Sequence, residues 1–175
     1  GFQSEYIWDY LFYIANKVGD KIAIPTDPRW DGGLELIAKA RRKTHKEIVA
    51  KGINPTYQDL ENALKAGADY AWVVGWVPER YIERCFIEVS KNEQIHDIKG
   101  NPRGVVYNSR DILESLRLGK EILNPESFQD ARKLWKGKLY QASNIKCLDD
   151  IQKGADGIIV GSSLPELAKE LGYLR

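Results

Sequence analysis

A glycine–serine turn near the end of the chain carries residue types that bind anions. Gly161, Ser162 and Ser163 follow the apolar run 158–160 and precede a predicted helix that begins at Pro165. Glycine lets a ligand approach the backbone, a serine can cap the helix, and free N–H groups at a helix start favour phosphate. The same pattern also fits an ordinary serine-capped turn between a strand and a helix, so both interpretations stay open at this point.

Two charged residues lie near the ends of apolar runs that predict buried strands. Lys51 lies in the run 47–52 and Glu88 in the run 85–89. Active sites of parallel barrels assemble at the carboxyl ends of the strands. Burial depresses the pKa of a lysine, and a neighbouring glutamate keeps that lysine charged. The two residues are therefore either a proton-transfer pair or a structural ion pair that fills the mouth of a barrel.

Composition excludes several classes of partner. The 175 residues are 43% hydrophobic and 29% charged, with a net charge of +1. Such a balance gives no field that favours nucleic acid or an anionic membrane, so a local site must hold any anionic ligand. No apolar run reaches the length of a membrane span, and no secretory leader is recognisable. We expect a soluble, cytoplasmic protein with one domain over 1–175.

Cysteine and histidine give no indication of a metal site. Cys85 and Cys147 are too few for a disulfide framework, and Cys85 is predicted to be a small buried hydrophobe. His45 and His96 lie among polar residues and are predicted to be on the surface. We expect neither a metal nor a cofactor.

Helical and strand patterns alternate along the whole chain. Apolar spacing predicts helices at 5–18, 34–43, 56–66, 92–99, 111–116, 125–135, 148–153 and 165–172, with two helical turns at 78–84. Strands are predicted at 21–26, 47–52, 69–75, 85–89, 104–108, 139–142 and 158–160. Predicted caps are Ser4, Thr56 and Asn124, the last followed by Pro125 at the first helical position.

This alternation predicts a parallel sheet, either doubly wound or closed into a barrel. The segment 65–75 is similar to 153–161, about half a barrel away, and no dinucleotide-binding glycine motif follows the first strand. Both observations favour an α/β fold of the TIM type. Seven strands are predicted where such barrels have eight.

Six segments, in order along the chain, resemble the indole-3-glycerol-phosphate synthase family of tryptophan biosynthesis, whose members are (βα)8 barrels. They are 26–33, 48–51, 86–88, 107–112, 142–145 and 160–164. The similarity extends from about residue 4 to about residue 170 and starts after the family's first strand. The resemblance therefore implies a barrel domain without that strand. The helices predicted after 69–75 and 85–89 are unusually short, which is a departure from the family pattern.

The resemblance also assigns roles to individual residues. It implies that Lys51 is a general acid and that Glu88 takes part in acid–base chemistry. Asn108, Arg110 and Ser143 are the expected substrate-binding residues. Asn144, Gly161, Ser162 and Ser163 are the expected phosphate-binding residues. For Arg110 and Asp111, an ion pair in a surface loop is an alternative. Trp30, Trp72 and Trp76 either stack on an aromatic substrate or simply pack.

Departures from the family pattern lead to two functional hypotheses. The lysine of the family's first strand has no counterpart, Ala142 stands where the family has a glutamate, and Asn144 stands where it has a glycine. One hypothesis is a weak or altered synthase that closes the ring of carboxyphenylaminodeoxyribulose phosphate with loss of carbon dioxide. The other is a related barrel that binds phosphate or a phosphosugar without synthase activity.

A seven-stranded barrel would leave two unpaired strand edges, which invite aggregation unless they are covered. The helix predicted at 5–18 carries Tyr6, Tyr10 and Tyr13 beside Ile7 and further apolar residues. We expect either this aromatic segment or a second copy of the chain to cover the opening.

Overall fold

The computed structural model describes residues 5–30, 32–124 and 126–173, with side chains from Asp9 onwards. The helices are α1 (Glu5–Val18), α2 (Leu34–Lys43), α3 (Tyr57–Ala66), α4 (Asn92–His96), α5 (Ile112–Leu118), α6 (Phe128–Leu134) and α7 (Leu164–Glu170). The strands are β1 (Lys21–Pro25), β2 (Glu47–Ile53), β3 (Tyr70–Val74), β4 (Cys85–Val89), β5 (Gly104–Asn108), β6 (Leu139–Ala142) and β7 (Gly157–Ile159). Short 3₁₀ helices occur at Pro28–Trp30, Glu79–Arg84 and Leu148–Asp150.

The strands form one parallel sheet in sequence order, from β1 at one edge to β7 at the other. Helices connect successive strands, and the sheet curls through 252° into an open half-barrel. The prediction of an α/β fold with seven parallel strands is therefore confirmed. Within the described residues, β1 pairs only with β2 and β7 only with β6, so the curl stays open between them.

Side chains alternate between the inside of the curl and the surrounding helices, as the period of a strand requires. An apolar cluster fills the inside and contains Val49, Trp72, Phe86, Val106 and Ala142. Two further clusters join the outer face of the sheet to the helices. One includes Val73, Ile87, Val105 and Leu139, and the other includes Ile24, Ile37, Ile48 and Ala50.

The start of α3 shows how local sequence sets an element. Thr56 is the N-cap, and its hydroxyl accepts a hydrogen bond from the Asp59 N–H at 3.1 Å. The Asp59 carboxylate accepts one from the Thr56 N–H at 2.8 Å. Two N–H groups without helical partners are thereby satisfied, which confirms the predicted cap at Thr56.

The start of α6 differs from the prediction. The helix begins at Phe128, and Ser127 is its cap, with a hydroxyl that accepts from the Asp130 N–H at 3.2 Å. Asn124 instead accepts from the Glu126 N–H at 3.0 Å and donates to the Ser90 carbonyl. Asn124 therefore joins two loops, and the predicted cap there was wrong because a serine closer to the apolar face supplied the acceptor.

Other predictions meet mixed outcomes. The helix expected at 148–153 is only the 3₁₀ turn Leu148–Asp150, while the short helices expected after the third and fourth strands are present. His45 and His96 are exposed and Cys85 is buried, as predicted.

The predictions for Ser4, Pro125 and the side chains of Tyr6 and Ile7 lie outside the described residues. None of the described helices is both long and apolar enough to cross a membrane.

Candidate active site at the carboxyl ends of the strands

Lys51 and Glu88 meet inside the mouth of the half-barrel. Lys51 on β2 is in register with Trp72 on β3, and Glu88 lies two residues after Phe86, the β4 partner of Trp72. All of these side chains face inward because they lie on the same face of the curled sheet. The Lys51 Nζ lies 3.9 Å from the Glu88 Oε1, so the predicted pair is brought together.

Trp72 stands between the two charges and contacts both. The Lys51 Nζ lies 4.1 Å from the centre of the indole ring, in cation–π geometry. The Trp72 Nε1–H donates a hydrogen bond of 3.1 Å to the Glu88 Oε1. Trp72 is buried, as the packing interpretation predicted, but its N–H also orients the carboxylate. Sequence reasoning missed this role, although the period of a strand would have placed Trp72 beside Lys51.

Burial changes the acid–base behaviour of the pair. Desolvation raises the pKa of the Glu88 carboxyl, while Lys51 and hydrogen bonds from Asn108 and Trp72 act in the opposite direction. Desolvation also lowers the pKa of the Lys51 ammonium, and Glu88 opposes that change, while Arg110 adds to it. The pKa values of the acid and the base therefore move toward each other and toward neutrality, which is the condition for proton transfer near pH 7.

Asn108 connects the Lys51–Glu88 pair to β5 and to the loop after β6. Its Oδ1 accepts from the Ser143 hydroxyl at 2.5 Å and from the Arg110 N–H at 3.0 Å. Because the oxygen is occupied on that side, the NH₂ group of the amide is the one that hydrogen-bonds Glu88. The structure thus brings together Lys51, Glu88, Asn108 and Ser143, four of the predicted site residues.

Arg110 and Asp111 differ in their exposure and in the groups they contact. Arg110 is exposed, and its guanidinium is near enough to Lys51 to lower the pKa of that ammonium. Asp111 is the N-cap of α5 and accepts from the Glu114 N–H at 3.0 Å. Its carboxylate also lies 3.8 Å from the Lys91 Nζ. The Arg110–Asp111 ion pair, which was the alternative to a ligand role, is not among the ion pairs of the described residues.

The predicted phosphate-binding residues lie in the loops after β6 and β7. Asn144 has a positive φ of 58°, and its Nδ2 donates to the Ser109 hydroxyl at 3.1 Å. The Ser163 hydroxyl donates to the Ile145 carbonyl at 2.7 Å and so ties the two loops together. Ser163 occupies the cap position of α7 without a capping hydrogen bond, so the interpretation of this turn as serine-capped is not met at Ser163.

A large cavity lies inside the curl and not among the predicted site residues. It has a volume of about 800 Å³ and opens between β1 and β7. Its lining includes Trp72, but neither Lys51 nor Glu88. Trp72 therefore separates the charged pair from the cavity. Within the described residues, no group of histidine, cysteine and carboxylate side chains is arranged to hold a metal ion.

Neither protein-family models nor curated protein sequences give a match to this chain. Neither of these two comparisons therefore supports the family resemblance of the six segments.

Proposed function

We propose that this chain is a lyase of the indole-3-glycerol-phosphate synthase type, acting on a phosphorylated small molecule. The observation that carries the proposal is the buried Lys51–Glu88 pair at the carboxyl ends of parallel strands, with Nζ and Oε1 3.9 Å apart. Charged groups are costly to bury, and a stable core does not require them. Pairs with shifted pKa values at such an edge are typical of proton-transfer sites.

The reaction needs one acid and one base. Ring closure of carboxyphenylaminodeoxyribulose phosphate joins a ring carbon to the carbonyl carbon, and carbon dioxide and water leave. In the proposed mechanism, loss of carbon dioxide from the attacked ring carbon restores the benzene ring. The carbonyl oxygen takes a solvent proton as the ring closes, and the Lys51 ammonium then protonates the resulting hydroxyl so that it leaves as water. The Glu88 carboxylate removes a proton from the methylene carbon beside the nitrogen, which forms the new double bond. Trp72 and Asn108 keep Glu88 oriented through their hydrogen bonds.

Anionic parts of the substrate need separate partners. Arg110 is exposed beside the pair, and its guanidinium suits a carboxylate. Gly161 and Ser162 are exposed in the loop that Ser163 ties to the β6 loop. We assign the phosphate to this loop, together with Asn144.

A second candidate is a barrel that binds a phosphosugar without synthase activity. Ala142 favours it, because this residue is 6% exposed and belongs to the apolar cluster inside the curl. A methyl group at that position supplies no proton and no charge to a transition state. Loss of one such group typically costs 10²–10⁴-fold in rate.

An assay of the purified chain with carboxyphenylaminodeoxyribulose phosphate distinguishes the two candidates. We expect slow formation of indole-glycerol phosphate, which falls by about 10²–10⁴-fold in Lys51→Ala and in Glu88→Gln. Arg42→Ala is the matched control, since Arg42 is an exposed cation on α2 outside the cluster. Product formation no faster than in Lys51→Ala would overturn the lyase proposal. Calorimetric binding of phosphosugars without turnover would then support the second candidate.

A further inference from the structure

A small pocket adjoins Glu88 at the carboxyl ends of β3 and β4. Val74 and Gly75 line it from the end of β3, and its volume is about 20 Å³. Glu88 and Ser90 line it from the end of β4, on the same side of the chain, as the alternation of an extended segment requires. A space of this size holds one water molecule and no larger ligand.

Polar side chains offer the hydrogen bonds that a buried water needs. The lining includes the carboxylates of Glu88 and Asp111 and the hydroxyl of Ser90. Gln94 fixes the loop that carries this hydroxyl, because its Oε1 accepts from the Ser90 N–H at 2.7 Å and from the Lys91 N–H at 2.9 Å. A buried water typically forms about three hydrogen bonds, and these three groups can supply them.

Exposure to solvent increases from Glu88 through Asp111 to Lys91. The side chain of Glu88 is 3% exposed, that of Asp111 is 13% exposed and that of Lys91 is 48% exposed. The Lys91 Nζ lies 3.8 Å from the Asp111 Oδ2, and the Asp111 Oδ1 accepts from the Glu114 N–H at 3.0 Å. Asp111 is therefore a held carboxylate that reaches both the pocket and the surface, which Glu88 alone does not.

We infer that one water molecule in this pocket links the carboxylates of Glu88 and Asp111, and that Asp111 acts through this water to return the proton of Glu88 to solvent. The inference rests on the proposed function, in which Glu88 takes a proton from a carbon of the substrate. Protonated Glu88 gives this proton to the pocket water, which passes one of its own protons to the Asp111 carboxylate. Asp111 then releases the proton to bulk water beside Lys91, and both carboxylates are ionised again. Asp111 is thus a positioning residue, because it touches neither the substrate nor the reacting atoms.

A water explains the pocket better than a cation does. Each carboxylate already has a positive neighbour, Lys51 at 3.9 Å from Glu88 and Lys91 at 3.8 Å from Asp111. In the part of the chain that the structure describes, no three histidine, cysteine or carboxylate side chains are grouped to hold a metal ion. Desolvation is the main cause of the raised pKa of Glu88, and the charge of Asp111 adds to it, so the two carboxylates interact with each other.

Asp111→Asn tests the link in the full chain while keeping the shape of the side chain. Asparagine caps a helix as well as aspartate does, so α5 should keep its start, and the neighbouring cations Lys51, Lys91 and Arg110 all remain. A carbon-13 NMR titration of the free chain should give a lower pKa for Glu88 than in the wild type, because the negative charge at position 111 is gone. Glu114→Gln is the matched control. It removes the same charge from a carboxylate that pairs with Arg117 and does not line the pocket, and it should leave the pKa of Glu88 unchanged.

Turnover provides a second measurement. With carboxyphenylaminodeoxyribulose phosphate, Asp111→Asn should lower kcat by about 10–10²-fold and leave KM within about twofold, because the substrate site is intact. Asp111→Glu restores a carboxylate and should recover part of kcat. Ser90→Val keeps both carboxylates but fills the space of the water, and it should lower kcat to a similar extent. Ser90→Ala provides a smaller change if urea unfolding shows that the valine variant is not folded.

A crystal structure of the full chain locates the water directly. We expect one water molecule within about 3.2 Å of a carboxylate oxygen of both Glu88 and Asp111. A dry pocket, an unchanged pKa of Glu88 in Asp111→Asn, or wild-type kcat in that variant would each overturn the inference. A wild-type chain without synthase activity would instead overturn the proposed function, and the crystal structure and the titration would still decide whether the water links the two carboxylates.

Discussion

Lys51 and Trp72 converge on the same oxygen of Glu88. The Lys51 Nζ lies 3.9 Å from Oε1, and the Trp72 Nε1–H donates to Oε1 at 3.1 Å. The three residues occupy successive strands β2, β3 and β4, and the Lys51 ammonium also rests on the indole ring. A carboxylate held in this way has a fixed direction, which a base requires if it is to act on one proton of a bound substrate.

The hydrogen bond from Trp72 is the first feature to test. Trp72→Phe keeps a ring beneath Lys51 but removes the N–H that stabilises the ionised form of Glu88. We therefore expect the pKa of Glu88 to rise further above its ordinary value of 4.5. A carbon-13 NMR titration of the glutamate carboxyls measures the change. Trp76→Phe, at an exposed ring beside Tyr57, should leave that pKa unchanged.

Burial of the Lys51–Glu88 pair should lower the free energy of unfolding near neutral pH. The pKa of Glu88 is raised, so its favourable contribution is complete below pH 4.5 and is lost as pH rises through the folded-state value. The pKa of Lys51 is lowered, so its contribution is complete above pH 10.5 and is lost as pH falls through the folded-state value. Between these two ranges both contributions to stability decrease as the groups become charged, and the charged pair is desolvated.

Urea unfolding of the wild-type chain and two variants tests this loss of stability. Lys51→Met alone leaves a buried carboxylate without its cation and should lower the free energy of unfolding by about 3 kcal/mol near pH 7. The loss should shrink below pH 4.5, where Glu88 is protonated. Lys51→Met combined with Glu88→Gln should match or exceed the wild-type chain, because glutamine still accepts from Trp72. Equal destabilisation by the single and the double substitution would contradict this account.

Much of the fold could be predicted because strand and helix periods are local properties. The bounds of β4, β5 and β6 and of α1 and α2 agree with the sequence predictions. The meeting of Lys51 and Glu88 also follows from the sequence, because both are at the carboxyl ends of strands and face the same side. The agreement is thus best where a short stretch alone determines the outcome.

Features that depend on distant segments could not be predicted. Several serines and asparagines compete for each cap, and the choice of Ser127 over Asn124 depends on where the Ser90 carbonyl lies. The Ser163 hydroxyl bonds to the Ile145 carbonyl because the loops after β6 and β7 are adjacent in space. The cavity arises from the overall curl of the sheet, which no single segment encodes.

The turn after β3 allows a steric prediction at Gly75. This residue has a φ of 91°, and a Cβ there would lie 2.1 Å from the Asn54 Oδ1. That oxygen accepts from the Trp76 N–H at 3.0 Å, while the Asn54 N–H donates to the Val74 carbonyl at 2.8 Å. Gly75→Ala would therefore strain the backbone and also displace the side chain that links the ends of β2 and β3.

We expect Gly75→Ala to lower the free energy of unfolding by about 2–4 kcal/mol, measured by urea denaturation. Gly119→Ala is the matched control, since Gly119 also has a positive φ, of 68°, but no atom within 4 Å of the added Cβ. Its loss should be confined to backbone strain, at about 1 kcal/mol. Equal losses in the two variants would show that the contact with Asn54 has no energetic importance.

The two cysteines should differ in reactivity. Burial raises the pKa of the Cys85 thiol to about 11, and this side chain is fully enclosed in the outer core. Cys147 is only half-buried, in the loop after β6. Because the thiolate is the reactive form, iodoacetamide should label Cys147 and spare Cys85 in the native chain at about pH 8. Peptide mapping by mass spectrometry identifies the labelled residue, and modification of Cys85 without unfolding would contradict the packing described here.

Gly161 offers a test of phosphate binding that does not disturb the fold. No heavy atom lies within 4 Å of the position that a Cβ would take at this residue, and its φ is not positive. Gly161→Ala should therefore change the free energy of unfolding by no more than about 0.5 kcal/mol. If phosphate rests against this backbone, the added methyl group displaces it, and calorimetry with inorganic phosphate should show weaker binding. Gln58→Ala, at an exposed position on α3, is the control and should bind phosphate as the wild type does. Unchanged phosphate affinity in Gly161→Ala would place the anion elsewhere and remove this loop from the proposed site.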